Sequence, residues 1–333
     1  MITQNIFDEN LDTILSKTPK SIAVAVSGGS DSMALTLLAN EWAKKNSVNF
    51  IALTVDHRLR VEAKDEAEQV SKWLAKYEIK HKTLTYQGEI PTSNIEAIAR
   101  EYRYELLCNY VKENKIDYLF IAHNMDEQSE TFFLNLSRGS GVYGLCGMPK
   151  NSIKNDVNII RPMLNFTKDE IKEYLNSLNQ KWIEDPSNQD DKYKRVRIRK
   201  LKSLLEELEL SNERLTKTMQ NMERVKETIE FFVDECIKTS VSFNEKSVLI
   251  NREKFIYYPS EIGLRVLANI IQNLAKTPYP PRFESLEMLY QKIKDASLGN
   301  GITLAGLKIS FNKNMNIYFD FESGRGKKTT GKI

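Results

Sequence analysis

Short apolar segments alternate with amphipathic segments through the first 140 residues of the chain. The apolar segments have the length and composition of buried strands, and they cover residues 21–26, 49–55, 81–86 and 117–122. The amphipathic segments predict helices; one contains Met33 to Leu38, and the others cover residues 62–77, 93–112 and 126–136. Because strands alternate with helices, the pattern predicts right-handed βαβ units and a parallel sheet with helices on both faces.

The second half of the chain has a different pattern. A basic stretch at residues 192–202 precedes a long segment of helical periodicity at 203–238. The region after residue 240 predicts a small α-rich domain that ends in short strands at 302–307 and 317–321. The chain is therefore predicted to contain a larger α/β domain over 1–205, a smaller, mainly helical domain over 206–322 and a disordered tail over 323–333.

Composition indicates a globular protein of a reducing compartment. Hydrophobic residues make up 41% of the chain and charged residues 28%, and no apolar stretch approaches the length of a membrane span. The first residues lack the basic and apolar segments of a secretory signal. The three cysteines, Cys108, Cys146 and Cys236, are widely spaced and form no CxxC motif, so they suit a cytoplasmic protein and offer no structural metal site. The net charge of +3 is too small to indicate nucleic-acid binding by itself.

The segment between the first predicted strand and helix has the sequence Ser27-Gly28-Gly29-Ser30-Asp31-Ser32. Such a loop turns backbone N–H groups and hydroxyls toward one spot at a helix N-terminus, which predicts an anion site. It is not a Walker A loop, because no Lys-Ser or Lys-Thr follows the second glycine, and it is not the GxGxxG of dinucleotide sites. The alternative is a turn before a helix that Ser30 or Asp31 caps. SGGxDS is the pattern of the pyrophosphatase (PP) loop, found in enzymes that split ATP between the α- and β-phosphates.

Polar residues also follow the second and fourth predicted strands. Asp56 and His57 follow the second strand, and the fourth is followed by the cluster His123, Asp126, Glu127 and Glu130. Because ligands of parallel sheets lie beyond the carboxyl ends of the strands, we expect one shared site. The three carboxylates share a helix face and would suit ammonium groups; the alternative is a helix start whose acids match its dipole.

Arginines and lysines form two further candidate groups. Arg100 and Arg103 lie three apart on a predicted helix, hence on one face, where their guanidinium groups would bind phosphate. The alternative is a solvated face with Glu96 and Glu101 as partners. The basic stretch is dense and contains no acid, which favours contact with an RNA backbone through Arg195, Arg197, Arg199 and Lys200.

Taken together, these motifs resemble the tRNA(Ile)-lysidine synthetase family. The resemblance is carried by the SGGSDS loop, Val55-Asp56-His57, the segment from Ala122 to Thr131, Arg138-Gly139-Ser140-Gly141 and Asp185-Pro186-Ser187-Asn188. It runs from about residue 20 to about residue 205, and Tyr279-Pro280-Pro281-Arg282-Phe283 resembles the family's first C-terminal domain. The resemblance implies an α/β fold: a Rossmann-like parallel sheet of the adenine nucleotide α-hydrolase type, followed by a smaller α-rich C-terminal domain.

The resemblance also implies a reaction in two steps. Enzymes of this family join lysine to C2 of the wobble cytidine in isoleucine tRNA with a CAU anticodon, which changes the codon read from AUG to AUA. Cytidine O2 attacks the α-phosphate of ATP and pyrophosphate leaves; the lysine ε-amine then attacks C2 and AMP leaves. The implied partners are ATP, Mg²⁺, free lysine and tRNA(Ile), with no membrane, in a homodimer.

Roles for individual residues follow from the same resemblance. The implied catalytic residues are Asp31, Arg100, Arg103 and Glu127, with Asp31 as the candidate carboxylate for Mg²⁺. The implied ATP site comprises Ser27, Gly28, Gly29, Ser30, Asp31 and Ser32, with Thr54 and Val55 at the adenine. The implied lysine site comprises His123, Asp126, Glu127 and Glu130, and the implied tRNA contacts are Arg195, Arg197, Arg199 and Lys200. Two positions depart from the family pattern: Glu127 stands where an aspartate is usual, and Arg58 where a glycine is usual.

Two other functions stay open at this point. The tRNA thiolases use the same loop but generally need catalytic cysteines, often as CxxC or as a distant pair, and the cysteines of this chain form no CxxC. A non-enzymatic adenine-nucleotide-binding module would leave the carboxylate cluster and the basic stretch without a purpose.

Overall fold

The computed structural model of the chain describes residues 2–58, 63–88, 95–184, 194–244, 247–277 and 279–321. The chain divides into two compact units, a first unit of Met1–Met222 and a second unit of Glu223–Ile333. The sequence predicts the domain boundary at 205/206, shortly after the basic stretch ends at residue 202. Within the described residues, no helix combines the length and the apolar character needed to cross a membrane.

A six-stranded sheet forms the centre of the first unit. Its strands are β1 (Ser21–Ala25), β2 (Asn49–Asp56), β3 (His81–Thr85), β4 (Tyr118–Phe120), β5 (Asn151–Lys154) and β6 (Val157–Ile160). They lie in the order β3-β2-β1-β4-β6-β5 and are parallel except for β5, which pairs antiparallel with β6. The helices of this unit are α1 (Gln4–Ile14), α2 (Ser30–Lys45), α3 (Ala63–Ala75), α4 (Ile95–Glu113), α5 (Met125–Leu136), α6 (Val142–Leu145), α7 (Lys168–Ser177), α8 (Lys194–Lys200) and α9 (Lys202–Glu207), and α10 (Asn212–Ser240) continues into the second unit.

The predicted parallel sheet is confirmed, with β1 to β4 and the helices after them close to the predicted positions. Helices α1 and α7 and the β5–β6 hairpin were not predicted. The segment of helical periodicity predicted over 203–238 is helical and forms two helices, because the chain turns between α9 and α10. Glu209 has the left-handed φ of 60°, and the Leu210 N–H donates a 2.8 Å hydrogen bond back to the Leu205 carbonyl.

Apolar side chains cover both faces of this sheet. Successive residues of β1 point to opposite faces, so Ile22 and Val24 belong to the cluster that contains Ile171 of α7. Ala23 belongs to a second cluster, which contains Leu107 of α4. Because both faces are covered, β1 is a continuous apolar run, and its carboxyl end is fixed in the middle of the sheet.

The second unit contains helices and a five-stranded antiparallel sheet. Its further helices are α11 (Arg252–Ile256), α12 (Ser260–Ala275) and α13 (Phe283–Lys294). Its strands are β7 (Val241–Phe243), β8 (Val248–Ile250), β9 (Ile302–Leu304), β10 (Leu307–Phe311) and β11 (Ile317–Phe321), in the order β7-β8-β11-β10-β9. One apolar core joins helices and sheet, with Phe255, Leu267 and Phe319 fully buried in it. The predicted tail at 323–333 lies outside the described residues.

The strand predicted at 302–307 is two strands. Ala305 and Gly306 have φ values of 54° and 78°, so the chain reverses there and Leu307 pairs with Leu304 in a hairpin. The prediction of a single strand was wrong because Ala305 and Gly306 form a two-residue turn between β9 and β10.

Candidate active site

The SGGSDS loop leaves the carboxyl end of β1 and enters the N-terminus of α2. Gly28 has a φ of +88°, and a Cβ at this position would lie 2.6 Å from Ile183 Cδ1 and 2.8 Å from Val70 Cγ2. The Ile183 N–H donates a 2.9 Å hydrogen bond to the Gly28 carbonyl. Glycine is therefore required at 28 both by the backbone conformation and by the close packing of Ile183.

A serine hydroxyl holds the shape of the loop. Ser32 Oγ accepts a 3.1 Å hydrogen bond from the Ser27 N–H and donates a 3.0 Å bond to the Gly29 carbonyl. Gly29, not Ser30 or Asp31, is the N-cap of α2, and no side chain caps this helix. The first-turn N–H groups of α2 are thus available to an anion at the positive end of the helix dipole.

The loop opens into a cavity of about 730 Å³. The predicted site residues on its wall are Ser27, Gly29, Ser30, Asp31, Ser32, Thr54, Val55, Arg100, Arg103, His123, Asp126, Glu127, Glu130 and Arg199. Of the other described candidates, Gly28, Arg195, Arg197 and Lys200 lie outside the wall. One cavity therefore brings together residues predicted for the ATP site and residues predicted for the lysine site.

Asp31, the second residue of α2, is held from two sides. Lys168 Nζ lies 2.5 Å from its Oδ2, and Asn124 Nδ2 donates a 3.0 Å hydrogen bond to its Oδ1. Lys168 is the first residue of α7, and Asn124 is the N-cap of α5. The loop is thereby joined to the starts of two other helices.

Glu127, at the start of α5, takes part in a capping box and also has a raised pKa. Its N–H donates a 2.9 Å hydrogen bond to Asn124 Oδ1, and its Oε2 accepts a 3.2 Å bond from the Asn124 N–H, which makes a capping box. Burial, together with the negative charges of Asp31 and Glu130, raises the pKa of Glu127 to about 7. The carboxyl group thus stabilises the helix start and can also exchange a proton near neutral pH.

Glu130, one turn further along α5, forms an ion pair with an arginine. Its side chain is 5% exposed, and its Oε1 accepts a 2.5 Å hydrogen bond from Nε of Arg199. Arg199 belongs to α8, the described part of the basic stretch. A residue predicted to bind tRNA and a residue predicted to bind lysine are therefore in contact with each other.

Asp126 accepts hydrogen bonds from one backbone group and one side chain at the starts of two other helices. Its Oδ2 accepts a 2.8 Å hydrogen bond from the Lys168 N–H, and its Oδ1 accepts a 3.1 Å bond from Asn212 Nδ2. Asn212 Oδ1 in turn accepts a 2.6 Å bond from the Ser129 hydroxyl. Asp126 thus fixes the starts of α7 and α10 against α5.

Positive charge gathers where α4 meets the cavity. Arg103 Nη2 lies 3.3 Å from His57 Nε2, and the Arg100 guanidinium carbon lies 5.5 Å from the centre of the Tyr104 ring. Both arginines line the cavity, so the helix does not simply present them to solvent. Glu96 lies outside the residues whose side chains are described.

His123 is buried after β4, with 7% of its surface exposed. Burial, together with the positive charges of Arg161 and Arg100, lowers the pKa of His123 to about 3. Its Nδ1 has no hydrogen-bond partner among the described residues. The imidazole is therefore neutral at physiological pH and offers one unused nitrogen.

The residues predicted to meet adenine lie at the end of β2. The Thr54 hydroxyl donates a 2.8 Å hydrogen bond to the Val26 carbonyl and lies 2.8 Å from His81 Nε2. The Thr54 side chain thus ties β2 to its two neighbours. Thr54 and Val55 both line the cavity.

The basic stretch is a helix where it is described. Val196 is buried in α8, and Arg195 Nη1 lies 4.0 Å from Glu127 Oε1, whereas Arg197 and Lys200 are exposed. Arg195 and Arg199 thus lie beside the carboxylates, and Arg197, Arg199 and Lys200 are exposed at the surface. Residues 192–193 and the predicted turn at 185–188 lie outside the described residues.

Three residues of the site were not predicted from the sequence: Asn124, Lys168 and Asn212. Asn124-x-x-Glu127 and Thr167-x-x-Glu170 have the spacing of capping boxes, and both boxes form in the structure. These patterns mark the starts of α5 and α7, and Lys168 directly follows Thr167. No local pattern marks Asn212.

Known proteins resemble both the sequence and the fold. The PP-loop domain family matches residues 3–208. The tRNA(Ile)-lysidine synthase of Wolbachia pipientis wMel is 38% identical over 291 residues, which are 86% of this chain and 68% of that protein. The tRNA(Ile)-lysidine synthase of Ruegeria pomeroyi is 32% identical over 88% of this chain and 71% of that protein.

One solved structure shares the fold. The U34-tRNA thiolase NcsA from Methanococcus maripaludis, with its [4Fe-4S] cluster, superposes with a TM-score of 0.57 at 22% identity, over 67% of this chain and 79% of that chain. At this identity the likeness concerns the fold alone. The extent and level of the sequence matches show that the chain belongs to the tRNA(Ile)-lysidine synthase family of PP-loop proteins.

Proposed function

We propose that this protein joins lysine to C2 of the wobble cytidine in isoleucine tRNA with a CAU anticodon and uses ATP to activate the cytidine. The observation that carries the proposal is one cavity whose wall holds a PP loop, two arginines and a group of carboxylates. A nucleotide and an amine are the substrates that such a cavity suits. Relatives that bear the name tRNA(Ile)-lysidine synthase support the same conclusion.

The first step is the adenylation of cytidine O2. Phosphoryl transfer needs positioning and charge neutralisation more than covalent help. The α2 N-terminus and the loop N–H groups bind phosphate oxygens, and Arg100 and Arg103 add two guanidinium groups from α4. Thr54 and Val55 lie at the adenine.

The second step needs a neutral amine. The ε-ammonium of lysine has an ordinary pKa near 10.4, so it must lose a proton before it attacks C2. Glu127 takes that proton, because its pKa of about 7 lets it be ionised at neutral pH and still accept a proton. Glu130 binds an ammonium group of the substrate lysine. This ammonium takes the place that the Arg199 guanidinium occupies beside Glu130. Asp126 holds the cluster in place, and the neutral His123 offers Nδ1 as a hydrogen-bonding group.

Mg²⁺ fits this site with Asp31 as its protein ligand. Among the described residues, no three His, Cys, Asp or Glu side chains come together as a metal site. Magnesium commonly binds one or two carboxylates and completes its coordination with substrate phosphates and water. Asp31 is such a single carboxylate beside the phosphate loop, and the ion would supply charge neutralisation to the phosphates.

Arg197 and Lys200, at the surface of α8, are the proposed backbone contacts of the tRNA, with Arg195 and Arg199 between RNA and carboxylates. The reaction is proposed to take place in the cytoplasm, where the three free thiols would persist. A homodimer is part of the proposal, and sedimentation velocity tests it.

The thiolase alternative has less support. Cys108 is fully buried, and its Sγ lies 3.6 Å from the Lys154 carbonyl. Cys146 Sγ lies 3.1 Å from the Val142 carbonyl. None of the three cysteines lines the cavity. A sulfur-transfer reaction would therefore lack its nucleophile at this site.

Labelled lysine tests the proposal directly. The protein is incubated with ATP, labelled lysine and isoleucine tRNA with a CAU anticodon, and the tRNA is digested to nucleosides. We expect the label in a modified cytidine, and none with a matched tRNA that has uridine at the wobble position. Absence of label from the cytidine-derived nucleosides would contradict the proposed function.

A further inference from the structure

We propose that Lys168 is a further catalytic residue, which binds the β-phosphate of ATP and neutralises pyrophosphate as it leaves. The inference rests on the proposed function in that it takes the SGGSDS loop to bind ATP.

The loop cannot supply a cation of its own. Residues 27–32 contain one aspartate and no lysine or arginine. In a Walker A loop, by contrast, a lysine within the motif reaches the β- and γ-phosphates. Because pyrophosphate gains negative charge as it leaves, a loop without a lysine needs a cation from another part of the chain.

Lys168 supplies such a cation: its ammonium lies beside the loop, and its backbone is held in place at the start of α7. Its Nζ lies 2.5 Å from Asp31 Oδ2, and its side chain is 37% exposed on the cavity wall. Its N–H donates a 2.8 Å hydrogen bond to Asp126, and the preceding Thr167 forms a capping box with Glu170. The backbone of Lys168 is therefore fixed by α5 and α7, and the ammonium is directed at the loop.

The Lys168 ammonium stabilises the leaving pyrophosphate by its charge and its hydrogen bonds, and it transfers no proton. During adenylation, the bond between cytidine O2 and the α-phosphorus forms, and the bond from that phosphorus to the α,β-bridging oxygen breaks. The electron pair goes to this oxygen of pyrophosphate. Lys168 donates hydrogen bonds to the β-phosphate and keeps its proton throughout, so the step balances without a further reactant.

Ligand binding separates this role from a merely structural ion pair with Asp31. Titration calorimetry in EDTA measures the affinity for pyrophosphate and for AMP in the wild type, Lys168→Met, Lys168→Arg and Lys172→Met. Lys172 is the matched control: it lines the same cavity one turn further along α7, but its Nζ is 3.6 Å from Glu184 Oε1 and it makes no ion pair with Asp31 among the described contacts.

We expect Lys168→Met to weaken pyrophosphate binding by roughly tenfold or more, as the loss of one charge-assisted contact does, and to change AMP binding less than about twofold. Lys168→Arg should retain most of the affinity for pyrophosphate, and Lys172→Met should retain all of it. An equal loss of AMP binding, an unchanged pyrophosphate affinity, or an equal loss in Lys172→Met would overturn the assignment. Lys168→Gln, which also removes the charge, carries the test if Lys168→Met does not fold: a loss of pyrophosphate affinity greater than the loss for AMP supports the role, and equal losses overturn it.

Failure of this inference differs from failure of the proposed function. A wild-type protein that binds pyrophosphate through Lys168 but puts no lysine into tRNA would contradict the function and leave the assignment standing. Lysidine formation at the wild-type rate by Lys168→Met would overturn the assignment and leave the function standing.

Discussion

The part of the cavity wall at α4 and the part at α5 carry opposite charge. Arg100 and Arg103 stand on α4, whereas Asp126, Glu127 and Glu130 follow one another along the first turns of α5. The pKa values of two buried side chains, His123 and Glu127, reflect this difference in charge. The pKa of His123 is lowered to about 3 by burial and then by arginines, and the pKa of Glu127 is raised to about 7 by burial and then by carboxylates.

Under the proposed function, this difference in charge would let one cavity bind two substrates of opposite charge. A phosphate is favoured beside the α4 arginines, and an ammonium beside the α5 carboxylates. Burial alone would push both titratable groups toward their neutral forms, and each local field pushes in the same direction as burial. The wall therefore keeps His123 uncharged and leaves Glu127 able to gain or lose a proton near neutral pH.

The largest expected effect comes from the α5 side. Glu127→Gln keeps the capping-box geometry but removes the proton acceptor, so we expect lysine transfer to fall by about 10²- to 10⁴-fold. The wild-type rate should rise with pH through about 7, because Glu127 must be ionised to accept the proton. Single-turnover lysine transfer measured from pH 6 to 8 tests both points.

Glu127→Asp is the matched control for that experiment. It keeps the carboxylate, so it should retain most of the lysine transfer. If Glu127→Gln kept the wild-type rate and the inflection near pH 7, the α5 side would not supply the base.

On the α4 side, Arg100→Ala should impair a different step. Removal of one preorganised donor to a developing oxyanion costs about 10²- to 10³-fold, so ATP–pyrophosphate exchange should fall by about that factor. The KM for lysine should stay within about twofold, since Arg100 does not touch the carboxylate cluster in the proposed scheme. Exchange is measured with labelled pyrophosphate in the presence of isoleucine tRNA. An equal rise of the KM values for ATP and lysine would show that the two sides do not divide the substrates.

Arg199 should have a smaller effect of opposite sign. In the proposed function its guanidinium competes with lysine for Glu130, so Arg199→Ala should lower the Kd for free lysine several-fold in the protein without tRNA. Arg197→Ala is the control, since Arg197 carries the same charge on the same helix and is exposed. Calorimetric titration with lysine compares them. Weaker lysine binding by Arg199→Ala would mean that Arg199 positions Glu130 instead of competing for it.

The sequence was sufficient to predict the parts of the fold that are locally encoded. The strands β1, β2 and β4 are buried on both faces and therefore appear as apolar runs. The β5–β6 hairpin was missed because it lies at the sheet edge and β5 is partly polar. Its turn at Asn155 and Asp156, with φ values of 49° and 60°, is visible only when the two residues are interpreted as a hairpin turn.

The same distinction explains which parts of the site were predicted. The loop and the cluster after β4 follow strands directly, so their residue types and spacing were enough to nominate them. The contacts Lys168–Asp31 and Arg199–Glu130 join residues 137 and 69 positions apart. They depend on how α7 and α8 pack, which no local pattern records.

The smallest expected effect is on stability, and it tests the opposite pKa shifts of His123 and Glu127. His123 has a folded pKa of about 3, below its ordinary value of 6.5, so the unfolded state binds more protons between these values and stability rises with pH there. Glu127 has a folded pKa of about 7, above 4.5, so its contribution to stability falls as pH rises through that range. Between pH 4.5 and 6.5 the two contributions have opposite slopes of at most ~1.4 kcal/mol per pH unit and largely cancel in the wild type.

Single variants should therefore unmask opposite slopes. Relative to the wild type, His123→Gln should lose stability as pH rises from 4.5 to 6.5, and Glu127→Gln should gain stability over the same interval. Urea unfolding at half-unit pH steps measures the differences, in which the titration of all other groups cancels. Parallel curves for the two variants would mean that His123 and Glu127 do not have the lowered and raised pKa values that burial and the neighbouring charges give them.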